Sequence, residues 1–312
     1  MSTTMAADEE RIARAELSWL AESQDPRLGK FVRANGAVET MAQIRAGRFR
    51  HNFGLTSDLG WQHASKQWTV ALKKVPLRGE IERVLDGRFR LVHPGCAGWP
   101  DGLDELGDAA PIALWVTGVA DLPFSCRQSV AITGARAASA YGCSVAADFA
   151  ALVASRGWTV VSGGAFGIDA SAHKGALGAD GVTVAVLASG LDVPYPAAHA
   201  DLFDAIAHQG ALVSEQPPGR NVTRLRFLER GRIVAALATG TLVVEAGERS
   251  GTMATAGHAR DLGRPLMAVP GPVTSGLSAG CHHIIRDWRG SLVTSGGDVI
   301  ETLTAARAVP GS

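Results

Sequence analysis

Glycines and small residues interrupt one apolar stretch of the chain in a way that suits phosphate binding. The run Ser162-Gly163-Gly164-Ala165-Phe166-Gly167 follows β-branched residues 159–161 and directly precedes a predicted helix. Glycines let the backbone approach a ligand closely, and the free N–H groups of a new helix face an anion. In the dinucleotide pattern G-x-G-x-x-G, Ser162 would replace the first glycine. The run therefore predicts a phosphate-binding turn. It leaves open a nucleotide, a DNA backbone, or tight strand–helix packing without a ligand.

A second turn of the same kind lies further along the chain. Ser250-Gly251-Thr252 follows another predicted strand and opens another predicted helix. Two such turns can converge on one anion, because the carboxyl ends of parallel strands meet at one edge of a sheet. Together they favour an oxyanion pocket more than either turn does alone.

Arginines are concentrated close to these turns. Five of them, at positions 220, 224, 226, 230 and 232, lie in a segment whose only acid is Glu229. Arg136 and Arg249 belong to other strand-end turns. Guanidinium groups bind phosphate oxygens bidentately, so the segment predicts a polyanion groove. The alternative for such a charged run is a solvated helix surface.

The elements that position these turns follow from the apolar pattern. Helical spacing predicts short helices over 9–48 and near 79–85, and a strand at 89–93. After residue 110, apolar runs predict strands at 112–116, 130–133, 159–162, 182–187, 211–214, 241–245, 265–269 and 291–293. Helices are predicted between them at 139–155, 168–178, 198–208, 223–238 and 252–262. This alternation indicates an α/β fold with a doubly wound, mostly parallel sheet behind a small helical domain.

Composition limits the class of protein. The 30 lysines and arginines balance the 30 aspartates and glutamates, and apolar residues make up 46% of the chain. A neutral total is compatible with a local basic groove. The four cysteines form no C-x-x-C pair, which is typical of free thiols in a reducing compartment. Residues 1–10 do not resemble a signal peptide, and no apolar run is long enough to span a membrane. We therefore expect a cytoplasmic protein.

Other motifs do not predict catalysis or metal binding. The pattern G-x-S-x-G occurs at 276–280, but the last histidine, His283, precedes Asp287, which excludes the order of a hydrolase triad. The adjacent side chains of His282 and His283 diverge, and His173 is more typical of a structural helix histidine. We expect no catalytic residue, metal or cofactor.

With these motifs in place, the chain resembles the DNA-processing protein DprA (Smf) family from about residue 99 to residue 300. The similarity is carried by blocks at 130–136, 139–142, 162–169, 190–196, 230–235, 244–246, 250–252 and 269–271. The order of the blocks makes the resemblance more specific than any single motif.

The resemblance implies a domain organisation and a function. It implies an N-terminal helical (SAM-like) domain over 1–75, a connecting segment over 76–110 and an extended Rossmann-like DNA-binding domain over 111–308, without a C-terminal winged-helix domain. It also implies a homodimer that binds and protects single-stranded DNA during natural transformation and helps to load the RecA recombinase. The family is not known for a turnover chemistry, so no enzyme activity is expected.

Site residues follow by the same resemblance. The DNA groove would be lined by Arg136, Ser162, Gly163, Gly164, Phe166, Gly167, Lys174, Arg230 and Arg232, with Ser250, Gly251 and Thr252 as the floor. Phe166 is a candidate for stacking on a base. We expect Arg136→Ala and Arg232→Ala proteins to fold and to bind DNA more weakly. Gly231 and His282 stand where the family usually has asparagine.

The rival class is a nucleotide-binding protein. The chain also resembles nucleoside-monophosphate phosphoribohydrolases, which carry P-G-G-x-G-T-x-x-E with a catalytic acid at its end. Here Thr255 occupies the place of that acid, and Glu248 precedes the turn. A nucleotide-sensing module without catalysis is the other form of this alternative.

Overall fold

The computed structural model describes residues 3–48 and 59–308, and nine of their strands pair into one sheet. In chain order these are β1 (Arg90–Val92), β2 (Leu114–Gly118), β3 (Ser129–Thr133), β4 (Thr159–Ser162), β5 (Thr183–Leu187), β6 (Ala211–Ser214), β7 (Thr241–Val243), β8 (Leu266–Ala268) and β9 (Ser291–Leu292). The spatial order is β1-β2-β6-β5-β4-β3-β7-β8-β9. Pairing is antiparallel at β1–β2 and β2–β6 and parallel between all other neighbours.

Helices cover both faces of this sheet and precede it. They are α1 (Thr3–Leu20), α2 (Pro26–Asn35), α3 (Ala37–Arg45), α4 (Leu59–Ala71), α5 (Arg78–Leu85), α6 (Leu122–Arg127), α7 (Ala140–Ser155), α8 (Ile168–Gly178), α9 (Ala200–Gln209), α10 (Arg224–Leu237), α11 (Gly251–Asp261), α12 (Ala279–Asp287) and α13 (Gly296–Ala308). Three 3-10 helices span Leu72–Lys74, Asp101–Ala109 and Ala197–His199. Within the described ranges, no helix has the length and apolar character needed to cross a membrane.

The sheet reverses its winding direction between β3 and β7. From β3 the chain adds β4, β5 and β6 on one side, then returns to the other side of β3 as β7 and continues to β8 and β9. This topology confirms the predicted doubly wound, mostly parallel α/β fold. In such sheets ligands bind in the crevice beyond the strand ends at the reversal, which here lies after Thr133 and Val243.

Alternate residues of the central strands pack into two separate hydrophobic cores, one on each face of the sheet. Val130, Ile132 and Val160 pack with helices α7 and α8 on one face. Ala131 and Val161 pack with Ile233 of α10 on the other face. Successive strand side chains point to opposite faces, so an almost wholly apolar strand is required when both faces are covered.

The sheet includes a strand from the segment expected to connect the two domains. Residues 76–110, expected to connect two domains, contain α5 and β1, and Leu91 and Val92 of β1 are buried against the sheet. The helices before them form their own core, which includes Leu17, Phe31 and Trp68. Trp19 of α1 meets Trp115 of β2 edge to face, with ring centroids 5.2 Å apart. The N-terminal helices are therefore packed directly on the sheet. Residues 1–2 and 49–58 of the predicted helical domain lie outside the described residues.

Candidate functional site

A pocket of about 520 Å³ lies at the reversal of the sheet. Its floor comes from the turn after β3, which runs from Thr133 to Arg136, and from Ala165 and Asp169 after β4. Its walls are two helices: α10 contributes Arg224, Phe227, Leu228 and Arg230, and α11 with its preceding turn contributes Arg249, Ser250, Gly251, Thr252 and Thr255. We call this space the switch-point pocket.

Three arginines at the pocket carry charge that the protein does not neutralise. Arg136, Arg224 and Arg249 are exposed, and none has an ion-pair partner among the described residues. The Arg136 guanidinium lies over the Phe227 ring, 3.7 Å from its centroid. A cation held over an aromatic face is attracted by the ring quadrupole, which orients it without using its hydrogen-bond donors. The donors of Arg136 therefore stay available to a ligand.

Arg230 is a different kind of cation, because it is 9% exposed. Its Nη1 donates to the carbonyl oxygens of Gly163 and Val186, the latter at 2.6 Å. Its Nη2 lies 3.9 Å from Asp169 Oδ2, and its Nε is buried without a partner among the described residues. Burial lowers the pKa of Arg230, and Asp169 opposes that shift. A guanidinium remains protonated in proteins, so Arg230 places a fixed positive charge at the pocket lining.

Asp169, the one acid among the pocket-lining residues, is already engaged. Its carboxylate accepts from Thr133 Oγ1 at 2.9 Å and from the Ala165 N–H at 3.3 Å. These bonds join the ends of β3 and β4, and Arg230 offsets the charge. Thr255 lines the pocket where a phosphoribohydrolase would carry its acid, and Glu248 is not among the lining residues. Among the described residues that line the pocket, no carboxylate is therefore free for acid–base work.

The predicted glycine turn contributes Ala165 to the pocket lining and packs against the turn that carries Arg136. Gly164 and Gly167 have φ values of 70° and 73°, which favour glycine. A Cβ at Gly167 would collide with the carbonyl oxygens of Ala135 and Arg136, and one at Gly163 would collide with the Arg230 guanidinium. Glycine is thus required for the two turns to touch and for Arg230 to reach its carbonyls.

The second turn contributes a helix N-terminus with unused polar groups. Ser250 is the N-cap of α11, and its buried Oγ has no hydrogen-bond partner among the described residues. Thr252 Oγ1 donates to the Gly134 carbonyl at 3.0 Å, which fixes α11 against the turn after β3. First-turn N–H groups of a helix have no intrahelical acceptor. Those of α11 therefore lie at the pocket wall with Gly251 and Thr252.

The structure brings together only some of the residues expected in the groove. Arg136, Arg230, Ser250, Gly251 and Thr252 line the pocket. The Ser162 hydroxyl is buried and donates to the Ile132 carbonyl at 2.6 Å, so it joins two strands. Phe166 lies on the same turn, 48% exposed, with its ring 4.5 Å from that of His199. Lys174 is exposed on α8 and outside the pocket lining.

Arg232 does not reach the pocket. Its side chain is 1% exposed, and Nη2 lies 2.6 Å from Glu215 Oε1. Its Nε donates to the Ala109 carbonyl at 2.8 Å, joining α10 to a 3-10 helix. Residues two apart on an α-helix point to nearly opposite sides, so Arg230 and Arg232 cannot both face one ligand. Arg232 therefore joins α10 to neighbouring segments. We expect Arg232→Ala to destabilise the fold, in contrast to the expectation from the sequence.

Sequence reasoning did not assign Phe227 or Asp169 to the site, although both line the pocket. Phe227 precedes Arg230 by one helical turn, a spacing that places both side chains on one face of α10. Asp169 belongs to the glycine-turn block, but the sequence does not show that its carboxylate joins the ends of two strands. Gly231, where the family usually has asparagine, faces α11, and a Cβ there would come too close to Thr255 Oγ1. Glycine in place of asparagine at position 231 therefore affects the packing of α10 on α11, and Gly231 itself does not line the pocket.

The fold and site define a Rossmann-like protein with an arginine-rich pocket at the reversal of its sheet. The family model for DNA recombination-mediator protein A matches residues 90–304, and the chain belongs to this family. A role in DNA processing and recombination follows from that membership.

Individual relatives agree with this assignment. DNA processing protein DprA of Mycobacterium tuberculosis is 42% identical over 300 residues, covering 93% of this chain and 74% of that protein. The structure resembles that of DNA processing protein A from Streptococcus pneumoniae with a TM-score of 0.75 and 30% identity, covering 94% of this chain and 97% of that one. The Helicobacter pylori protein, solved for its single-stranded DNA binding mode, matches with a TM-score of 0.62 and 26% identity over 70% of this chain and 97% of that one.

Proposed function

We propose that this protein is a recombination mediator that binds single-stranded DNA at the switch-point pocket without sequence preference. The observation that carries the proposal is the set of three exposed arginines without acidic partners, Arg136, Arg224 and Arg249, around one pocket. Arginine pairs bidentately with phosphate oxygens, and no acid in the described part of the chain forms an ion pair with these three side chains. The relative from Helicobacter pylori, described for its single-stranded DNA binding mode, supports the same ligand.

Exposed aromatic rings near the pocket provide surfaces for bases. Phe166 and Tyr195 are both about half exposed, and Tyr195 lies 6.4 Å from Phe227 between ring centroids. Stacking on such rings contributes about 1–3 kcal/mol per base and tolerates any sequence. A duplex keeps its bases stacked inside, so these rings favour a single strand. Phosphate contacts and stacking together account for binding without base readout.

The test is fluorescence anisotropy with a labelled single strand and the matching duplex over a salt series. We expect salt-sensitive binding that favours the single strand, because each neutralised phosphate releases counterions. Arg136→Ala and Arg249→Ala should each weaken binding and reduce the salt slope by about 0.7, the value for one phosphate contact on a single strand.

Arg127→Ala is the matched control. Arg127 is also exposed but precedes β3, so it lies at the opposite end of that strand from Arg136. Its removal lowers the net charge by the same amount and should leave the affinity unchanged. Equal losses in all three variants would mean that binding follows overall charge and would overturn the assignment to the pocket.

We further propose that the protein protects incoming strands in the cytoplasm during natural transformation, helps to load the RecA recombinase, and acts as a homodimer. Family membership supports this role. Strand β9 is one of the two outer strands of the sheet and carries exposed Leu292, which suits contact with a second copy. Sedimentation equilibrium of the protein tests the dimer. The rate of RecA filament formation on a protein-bound strand, with and without this protein, tests the loading.

A further inference from the structure

We propose that the switch-point pocket selects a phosphate monoester on a single nucleotide over an internal phosphodiester. The monoester would come from a phosphorylated strand end or from a free mononucleotide. The strand-end source rests on the proposed function, whereas the mononucleotide source does not. The inference follows from the size, the charge and the unused donors of the pocket.

The size suits one nucleotide. At about 520 Å³ the pocket falls within the range of small-molecule sites, about 300–1,000 Å³, which bury most of the surface of their ligand. Strand-end residues line it on one side, and residues of α10 and α11 complete the lining. A nucleotide inside a strand must leave such a site in two directions, whereas a terminal nucleotide leaves in one.

The charge suits a dianion. Asp169 offsets Arg230, which leaves the charges of Arg136, Arg224 and Arg249 without acidic partners in the described part of the chain. An internal phosphodiester brings one negative charge for each nucleotide. A monoester brings about 1.5 to 2 negative charges at neutral pH, because its second pKa is about 6. The excess positive charge around a one-nucleotide space is therefore better matched by the monoester.

The unused donors point the same way. The buried Nε of Arg230 and the buried Oγ of Ser250 both lack hydrogen-bond partners among the described residues, and both residues line the pocket. The first-turn N–H groups of α11 lie beside Ser250. A monoester has three non-bridging oxygens and a diester has two, so the monoester offers one more acceptor to these groups.

The experiment compares three single strands of one sequence and length, ending in a 5′-phosphate, a 3′-phosphate or hydroxyl groups only. Anisotropy competition then adds thymidine monophosphate, thymidine and inorganic phosphate. We expect at least one phosphorylated end to bind about tenfold tighter than the hydroxyl-ended strand, since a charged hydrogen bond contributes about that factor. Thymidine monophosphate should displace that strand, and thymidine should not.

Two further measurements assign the preference to this pocket. Arg249→Ala should abolish the preference for the phosphorylated end. Arg127→Ala should keep it, because Arg127 is exposed but does not line the pocket. The preference should also decline as the pH falls below about 6, where the monoester loses its second charge, while binding of the hydroxyl-ended strand should not change in parallel. Far-UV circular dichroism checks that both variants are folded.

The outcomes separate this inference from the proposed function. Equal affinities for all three strands would overturn the monoester preference and leave single-strand binding intact. Binding of thymidine monophosphate, measured by isothermal titration calorimetry, in a protein that binds no strand would support the monoester site and overturn the proposed function. A preference that survives in Arg249→Ala would place it outside the pocket and overturn the inference.

Discussion

Four arginines of α10 meet four different environments. Arg224 is exposed at the pocket, while Arg226 forms a two-pronged ion pair with Glu22 at 2.9 Å. Arg230 lines the pocket and donates to backbone carbonyls, whereas Arg232 lies outside the pocket and pairs with Glu215. Each helical residue turns by about 100° from the last, so neighbouring arginines face different surroundings. Substitutions at these positions should separate into those that change binding and those that change folding.

The first prediction contrasts Arg232→Ala with Arg136→Ala. Removing Arg232 leaves Glu215 and the Ala109 carbonyl without their buried partner. Loss of one member of a buried ion pair costs about 3 kcal/mol, so the free energy of unfolding should fall by that amount. Arg136 is exposed, and its replacement should change that free energy by less than about 0.5 kcal/mol. Urea denaturation measures both, and similar midpoints for the two variants would contradict the assignment.

The second prediction concerns the buried histidine of α8. Thr183 Oγ1 donates to the Val160 carbonyl at 2.8 Å, so it must accept from His173 Nδ1 at 2.7 Å. His173 Nε2 is then an unprotonated nitrogen with no hydrogen-bond partner among the described residues. Burial, with the nearby Arg230 and His199 charges, lowers the pKa of His173 to about 3. The folded protein therefore resists a proton that the unfolded chain accepts near pH 6.5.

The consequence is a loss of stability in acid. Between pH 6.5 and pH 3 the unfolded state binds more protons at this site, so the free energy of unfolding falls as the pH falls, by up to about 1.4 kcal/mol per pH unit. His173→Gln keeps a donor for Thr183 but does not titrate. Urea denaturation at several pH values should show a flatter dependence for His173→Gln than for the unaltered protein. Parallel curves for the two proteins would refute the role given to His173.

Sequence reasoning at this scale succeeded where a residue type acts through the backbone. The positions of the glycine turn and the Ser250 turn at strand ends were predictable, because small residues follow an apolar run there. Phosphate binding by these turns stays a prediction. The division between Arg230 and Arg232 was not, since it depends on which side of α10 meets the sheet. Phe227 was missed because an aromatic residue in a basic helix resembles an ordinary core residue.

At the scale of elements, the pocket depends on contact between two strand-end turns. The Ile168 N–H at the start of α8 donates to the Ala135 carbonyl at 3.2 Å. The Ala135 N–H donates to the Glu245 carbonyl at 2.7 Å, which attaches the same turn to the end of β7. The turn that carries Arg136 is therefore held from both sides by neighbouring strand ends.

The third prediction compares two glycines at the two ends of α8. Gly167→Ala places a Cβ against two carbonyl oxygens at a φ of 73°, and should destabilise the protein by about 2 kcal/mol or more. It should also weaken DNA binding, because the Arg136 turn must move. Gly178→Ala meets open space at the other end of the helix and should stabilise by up to about 1 kcal/mol. Thermal unfolding and anisotropy measure both effects. A Gly167→Ala protein with unaltered affinity would show that the turn contact does not position Arg136.

The elements themselves were largely readable from the sequence. The predicted strand at 211–214 and the predicted helix at 168–178 match β6 and α8 residue for residue. These segments have clear apolar patterns because both faces of the sheet are covered. Helices α12 and α13 were not predicted. Each has at least one glycine in its first two positions and few apolar residues at helical spacing. Strand β1 was predicted, but its place in the sheet depends on a long-range pairing with β2 that local pattern does not contain.

At the scale of the whole molecule, the N-terminal helices share contacts with the helix that walls the pocket. Trp115 Nε1 of β2 donates to Ser18 Oγ at 3.2 Å, and Gln216 Nε2 donates to Ser23 Oγ at 2.6 Å. Glu22, just after α1, pairs with Arg226 of α10. The end of α1 is thus joined to the sheet and to α10, so the two predicted domains share one buried junction.

The last prediction is that these helices and the sheet unfold together. Trp19 is buried in the same cluster as Trp115 and Leu187, so Trp19→Ala removes packing from both sides of the junction. A buried tryptophan replaced by alanine costs about 3–5 kcal/mol. If the junction couples the two parts, far-UV circular dichroism and tryptophan fluorescence should report one coincident transition, shifted as a whole to lower denaturant. If the N-terminal helices were independent, Trp19→Ala would instead split the curve into an early helical loss and an unchanged transition of the sheet. A single shifted transition would mean that mutations in α1 affect the switch-point pocket by lowering the stability of α10.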